Sequence, residues 1–256
     1  MKSAARRRSA VLCLCALILA PGAFAGPTPD ADALLRQAYE NYRSESSQTD
    51  VVMTIHRPQW ERRLEMRAWT RGEDDALVRF TAPARDAGAA TLKLGRDTWE
   101  FNPRLNQVIK LPASMLGQSW MGSDFSYDDL AKSTSILTDY THRLAGERRE
   151  GGHAVWTVQA TPRPGAPVVW GRIDIEIRDD FVLLGETFLD QDLKPARRMR
   201  TERVGLLGVR PYPVTMTMSP ADQPGRWTRV ESSAGRFNAG LPAWIFTLSN
   251  LQNPRP

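Results

Sequence analysis

From Asp50 onward the chain alternates apolar and polar positions with a period of two. Val51, Met53 and Ile55 stand against Val52, Thr54 and His56, then Leu64, Met66 and Ala68 against Glu65, Arg67 and Trp69. The short period returns over residues 76–81, 90–94, 97–102, 107–111, 141–146, 154–161, 169–178, 182–189, 196–204, 212–218, 226–232 and 245–248, each predicted as a strand. Turn residues such as Gly72, Asn102-Pro103 and Gly151-Gly152 separate them at hairpin-like intervals. So many short strands in series predict a mainly β fold, one wide antiparallel sheet strongly curved or partly rolled into a barrel. Ile173, Ile175 and Ile177 against Asp174, Glu176 and Arg178 mark a strand with one apolar and one wet face. Val214, Met216 and Met218 put two flexible thioethers on one face of another.

Two segments depart from this period. Ahead of the first strand, Asp30 is placed to cap a helix whose Leu34, Leu35, Ala38 and Tyr42 share one face, ending near residues 44–47. Between Leu111 and Leu137 the alternation stops, and Met115, Leu116, Trp120, Met121 and Phe125 are set among Gly and Ser. Gly117 and Gly122 weaken a continuous helix there, whereas Ser126 followed by Asp128 and Asp129 reads as the cap and acidic first turn of a short one. Such a segment needs an apolar surface to lie on. It is either a lid over the concave side of the sheet, spanning residues 112–130, or ordinary core.

Charge redirects the functional reading. The 256 residues carry a formal +5, but Lys2, Arg6, Arg7 and Arg8 precede an apolar run from Ala10 to Ala20 and the small-residue site Ala23-Phe24-Ala25. These are the parts of a secretory signal peptide, and the run is too short to span a bilayer. Cleavage after Ala25 leaves 231 residues with a formal charge of +1, which removes the electrostatic case for nucleic acid. Cys13 and Cys15 both fall in the discarded segment, each after a leucine rather than the small residue that lipid attachment requires. The mature chain is therefore expected to be periplasmic, a single domain over residues 26–256 without a thiol or disulfide.

Site chemistry is sparse. His56, His142 and His153 lie in separate strands or turns, with no metal-ligand spacing, nucleophile elbow, phosphate loop or dinucleotide fingerprint. Adjacent acids such as Asp128/Asp129 and Asp179/Asp180 read as turns or helix starts rather than as facing catalytic pairs. Neither an enzyme, a metal nor a cofactor is expected. Arg197, Arg198, Arg200 and Arg203 surround Met199 on one strand, as a solvated face or as a docking patch for an acidic partner or lipid headgroups. Arg67, Trp69 and Arg71 share a strand face by parity, where an arginine can donate to carbonyls of a lid.

Several of these residues resemble a known family. The signal peptide, the leading helix, Ala68-Trp69-Thr70-Arg71 running into Val78-Arg79-Phe80-Thr81-Ala82-Pro83, Asp97-Thr98-Trp99-Glu100-Phe101-Asn102-Pro103, and Arg236-Phe237-Asn238 to Trp244-Ile245-Phe246 are similar to the LolA-like outer-membrane lipoprotein-sorting proteins. Pro83-Ala84-Arg85-Asp86-Ala87-Gly88, Val108-Ile109-Lys110-Leu111-Pro112 and Ser119-Trp120-Met121-Gly122-Ser123-Asp124-Phe125 resemble a longer branch of that family. The resemblance implies an open antiparallel β half-barrel with a helical lid over an apolar concave face. It further implies a carrier for an acylated ligand, a lipoprotein or another lipid, with an exporter of the resistance-nodulation-division (RND) type as partner. The alternative is a periplasmic sensor or adaptor for such a transporter; a hydrolase of envelope lipids or glycans is a third reading. A monomer is expected. The expected lid and lining residues are Met115, Leu116, Trp120, Met121 and Phe125 from the lid, with Trp69, Trp99 and Phe101 from the sheet. The family's lid-holding arginine lies one residue from Arg71, which makes Arg71 the candidate latch while reversing the face it points to.

Overall fold

A computed structural model describes residues 29–131 and 135–255. The predicted signal peptide over residues 1–25, with Cys13 and Cys15, lies outside the described residues.

The chain enters through helix α1 (Ala31–Arg43), capped by Asp30, whose side chain accepts from the Ala33 amide. Leu34, Leu35 and Ala38 form its buried stripe, as their spacing predicts. Six strands follow in meander order: β1 (Ser46–Arg57), β2 (Trp60–Arg71), β3 (Asp75–Ala82), β4 (Ala90–Leu94), β5 (Asp97–Asn102) and β6 (Gln107–Lys110). After two short helices, α2 (Tyr127–Ala131) and α3 (Ser135–Asp139), seven more complete the set. These are β7 (Tyr140–Glu150), β8 (His153–Pro162), β9 (Arg172–Arg178), β10 (Leu183–Leu189), β11 (Pro195–Leu207), β12 (Arg210–Pro220) and β13 (Trp227–Phe237). All thirteen join one antiparallel sheet in the order β6-β5-β4-β3-β2-β1-β13-β12-β11-β10-β9-β8-β7. The sheet is an open half-barrel, with register shifts in β1, β2, β10 and β11 that help it curve.

Every pairing is between sequence neighbours except one, β1 with β13 at the centre. The two edges, β6 and β7, are therefore consecutive in sequence, and the chain between them crosses from one edge to the other. It does so over the face that α1 also covers. Under α1, Ile173, Ile175 and Ile177 are buried with Val158 and Ala160, while their alternates Asp174, Glu176 and Arg178 are only partly covered. This half of the sheet has one apolar and one wet face.

The half formed by β3 to β5 is apolar on both faces. Val78 and Phe80 face the lid, whereas Leu77, Leu92 and Phe101 pack on the opposite side against Ile245, Phe246 and Leu251. Residues 245–248, expected as a strand, are not one: Ala243–Phe246 makes a 3-10 turn that leads into α4 (Leu248–Gln252), capped by Thr247 Oγ1. Pro242 opens the turn, and its apolar residues serve as a cover rather than as a paired edge. Arg79 donates to the carbonyls of Asn250 and Leu251 at the end of α4 (2.8 and 2.9 Å) and so ties this cover down. Burial lowers the Arg79 guanidinium from its ordinary value.

Ile175 is fully buried beneath α1, so Ile175→Ala is expected to cost about 2–4 kcal/mol in urea unfolding. Thr157→Ala, on the wet face of β8, should cost no more than about 0.5 kcal/mol.

Candidate functional site

The crossing segment folds on itself before it touches the sheet. Ser119 bridges Ser126, the Trp120 amide donates to the Phe125 carbonyl (2.8 Å), and the Asp128 amide donates to the Leu116 carbonyl (2.6 Å). A 3-10 turn over Trp120–Gly122 holds Met121 at φ 54°, a left-handed conformation unusual for methionine, before Gly122 continues the turn at φ 79°. Ser126 and Asp129 cap α2 reciprocally: the Asp129 amide donates to Ser126 Oγ, and the Ser126 amide donates to Asp129 Oδ2. The capped turn expected from Ser126, Asp128 and Asp129 is therefore present.

Trp120 is the anchor of this lid. Only 4% exposed, it packs against Phe80 with ring centres 5.4 Å apart, and its indole N–H donates to Thr91 Oγ1 (3.1 Å) on β4. Met115, Leu116 and Met121 pack on the same concave cluster, around Met53, Leu64 and Met66. Phe125 touches both this cluster and the one beneath α1.

Between lid, α1 and sheet lies a cavity of about 310 Å³. Trp120, Phe125 and Leu130 line it from the lid, and Tyr39, Tyr42 and Arg43 from α1. Its floor carries Met66, Met199, Met216 and Met218, thioethers that repack at low cost around differently shaped ligands. Val168, Val169 and Trp170 line it from the loop between β8 and β9, where Val169 is 59% exposed. A cavity of this size and apolarity suits a small lipophilic ligand.

Comparison with known proteins agrees with this architecture. A family model described as "uncharacterized protein" matches residues 72–253. A DUF1329 family protein from Desulfovibrio piger is similar over 86% of this chain and 97% of its own, at 22% identity and a TM-score of 0.77. An outer membrane lipoprotein-sorting protein domain from Vibrio parahaemolyticus matches at 18% identity and a TM-score of 0.75, over 87% of this chain and 98% of its own. A LolA superfamily protein from Nitrosomonas europaea matches at 22% identity and a TM-score of 0.71, over 86% and 98%. The chain belongs to the family of that model, and its fold is LolA-like. No curated protein matches it.

In this LolA-like chain the lid is held by charges at its rim. Asp124, with 4% of its side chain exposed, accepts from Arg57 Nη1 (3.0 Å), Arg226 Nε (2.7 Å) and Thr228 Oγ1 (2.7 Å). The Asp124 amide donates back to Thr228 Oγ1. Arg57 Nη2 also donates to the Gly122 carbonyl (2.8 Å), and Arg62 reaches the Met121 carbonyl (3.4 Å) while paired with Asp86. Arg197 grips both carboxylate oxygens of Asp129 and stacks over Phe188 and Trp170. Sequence reading named none of these as latches. The one available signal was Arg197, whose parity with Met199 puts it on the cavity face.

Arg71 takes a different position. It lies on the convex side, paired with Asp75 (2.6 Å) and over the Phe246 ring (4.6 Å). Its neighbour Thr70 is the one that lines the cavity. Trp69, Trp99 and Phe101 likewise sit on the convex face, beneath residues 241–251, and away from the lid. Parity groups these residues correctly, but both faces are apolar here, so apolarity does not identify the concave one.

The three histidines are far apart in role. His56 stacks on Trp227, His142 Nδ1 lies 2.5 Å from Asp32 beside α1, and His153 Nδ1 lies 2.5 Å from Asp179. His153, Asp179 and Asp180 are close enough together to hold a cation, yet Arg178 already holds Asp180 and the Ala154 amide holds Asp179.

Asp124→Ala strands the buried Arg57 guanidinium and should loosen the lid by about 3 kcal/mol. Hydrogen exchange of residues 113–130 is expected to rise on the order of 100-fold or more, while Arg71→Ala leaves it unchanged. Acid should act in the same direction through Asp86. Burial disfavours its charge, but Arg62 and Arg85 outweigh that and hold the carboxyl below its usual value. The contribution of Asp86 is thus complete above about pH 4 and lost as pH falls through the lower folded value, which lid exchange measured against pH will register.

Proposed function

We propose that this chain is a periplasmic carrier that takes the acyl chain of a lipoprotein, or another lipid, into the cavity beneath the lid and passes it toward the outer membrane. The observation that carries this is the pairing of a methionine-rich apolar cavity with a roof held at its rim by ion pairs. An acyl chain in water exposes about fifteen methylenes at about 0.8 kcal/mol each, on the order of 12 kcal/mol, so a carrier must cover it almost entirely. An ion-latched lid reconciles that enclosure with entry and exit. Binding and release require no covalent step, and the role is read as non-enzymatic. The Vibrio parahaemolyticus domain compared above, described as a lipoprotein-sorting domain, supports the same assignment.

A second role, adaptor to an RND-type membrane transporter or sensor of mislocalised lipid, is favoured by the convex face of β11. Arg198, Arg200 and Arg203 have no ion-pair partner among the described residues, in contrast to Arg197. A row of unpaired cations on a rigid strand suits an acidic protein surface.

Mass spectrometry of a solvent extract from mature protein, purified from periplasm without detergent, tests the carrier role. About one acylated molecule per chain is expected from wild type and a large loss from Trp120→Ala, with a smaller loss from Met121→Ser. An empty wild-type extract, together with failure to take up a fluorescent fatty acid, would overturn it. In that case, capture of a regulator or transporter that is lost on Arg198→Glu/Arg200→Glu supports the adaptor role.

A further inference from the structure

Glu186 is out of place in the cavity wall. It lies on β10 between Ile175 of β9 and Met199 of β11, with Leu183 and Phe188 beside it on the same strand, and is 8% exposed. An acid placed in such a wall costs stability unless it is neutralised or well hydrogen-bonded. Yet among the described residues the carboxyl receives one hydrogen bond, from Tyr39 Oη of α1 to Oε1 at 2.8 Å. Oε2 has no hydrogen-bond partner among the described residues, on a side chain that lines the cavity.

The surrounding charges do not supply one. Arg197 is committed to Asp129 and to the Phe188 and Trp170 rings. Arg43, one turn along α1 from Tyr39, donates to the carbonyls of Gly72 and Asp75. Burial pushes the Glu186 carboxyl above its ordinary value; the Tyr39 hydrogen bond and Arg197 oppose this, while Asp129 adds to it. Burial likewise raises the Tyr39 phenol, which keeps its O–H as the donor to Glu186. Burial favours the neutral form, in which a carboxyl whose Oε1 accepts from Tyr39 has its own O–H on Oε2, as a donor to a group in the cavity.

We infer that Tyr39 and Glu186 form a headgroup subsite for an uncharged oxygen function, a hydroxyl or an ester carbonyl, on an otherwise apolar ligand. The inference rests on the carrier reading and narrows it. The hydrocarbon body lies along the methionine floor, while the single polar group of the ligand reaches Glu186 and hydrogen-bonds to its Oε2 side. A hydroxyl suits the site best, since its oxygen accepts from Glu186 and its proton remains free for a second acceptor.

Displacement of pyrene, an uncharged hydrocarbon probe, by hexadecanol, methyl palmitate and palmitate at pH 7.5 tests this on the full mature chain. The Tyr39→Phe/Glu186→Leu double variant removes both polar groups together and leaves no orphaned hydroxyl in an apolar wall. Hexadecanol and methyl palmitate are expected to lose about tenfold in affinity for the double variant while pyrene binding is unchanged or tighter. Glu186→Gln, neutral and still a donor, should keep hexadecanol binding within about threefold of wild type. Unchanged binding of both neutral lipids to the double variant overturns the subsite alone. So does a wild type that prefers palmitate and loses that preference in the double variant, which would make the site one for an anion. A wild type that binds neither pyrene nor any of the three lipids overturns the carrier reading, and the subsite with it.

Discussion

The pairing of β1 with β13 organises the molecule. Because the first and last strands meet at the centre of the sheet, both meanders grow outward from them, and the two free edges become consecutive in sequence. The connection between those edges must then cross a face of the sheet. Residues 111–131 and 135–139 belong to that connection, and they enclose the cavity together with α1. The lid is thus a consequence of topology and is not an insertion added to a finished barrel.

What the crossing segment is made of decides how tightly it closes. Trp120 provides one deep apolar anchor with its own hydrogen bond, Met115, Leu116 and Met121 pack beside it, and the charged attachments lie at the rim: Arg57 and Arg226 on Asp124, Arg197 on Asp129, and Arg62 on a backbone carbonyl. Buried ion pairs add little net stability over an apolar isostere but penalise misplacement strongly, because a stranded charge is costly. Such a lid has a well-defined closed position without a large free-energy gap to opening. Beneath it, four methionines on the floor let the closed state accommodate an apolar body of variable shape, and Glu186 adds a buried carboxyl to that wall.

The sheet is used differently along its width. From β7 to β10 its outer face is wet and carries paired charges such as Arg148 with Glu176 and Arg172 with Asp174. From β3 to β5 that face is sealed by the C-terminal turn and α4, which Arg79 and Arg71 hold in place. Arginines therefore recur in two jobs, clamping the lid on one face and the C-terminal cover on the other. Arg57 and Arg71 each end a strand but serve opposite faces.

By itself the sequence determined the local elements. The Asp30 cap and the stripe Leu34, Leu35 and Ala38 specified α1, alternation specified nearly all the strands, and Ser126 with Asp129 specified the turn that opens α2. Loss of alternation after Leu111 also marked the lid, because a segment that neither pairs nor forms a long helix must lie on something. Which side of the sheet the lid covers was decided only in three dimensions. Trp69, Trp99 and Phe101 are as apolar as the cavity wall, yet they face the C-terminal segment, since parity divides residues into two faces without saying which one curves inward. The ion pairs of Asp124 with Arg57 and Arg226 join residues 67 and 102 positions apart, and the Tyr39–Glu186 bond joins residues 147 apart. No local pattern encodes such contacts, because they exist only once the sheet has brought its distant strands under one roof.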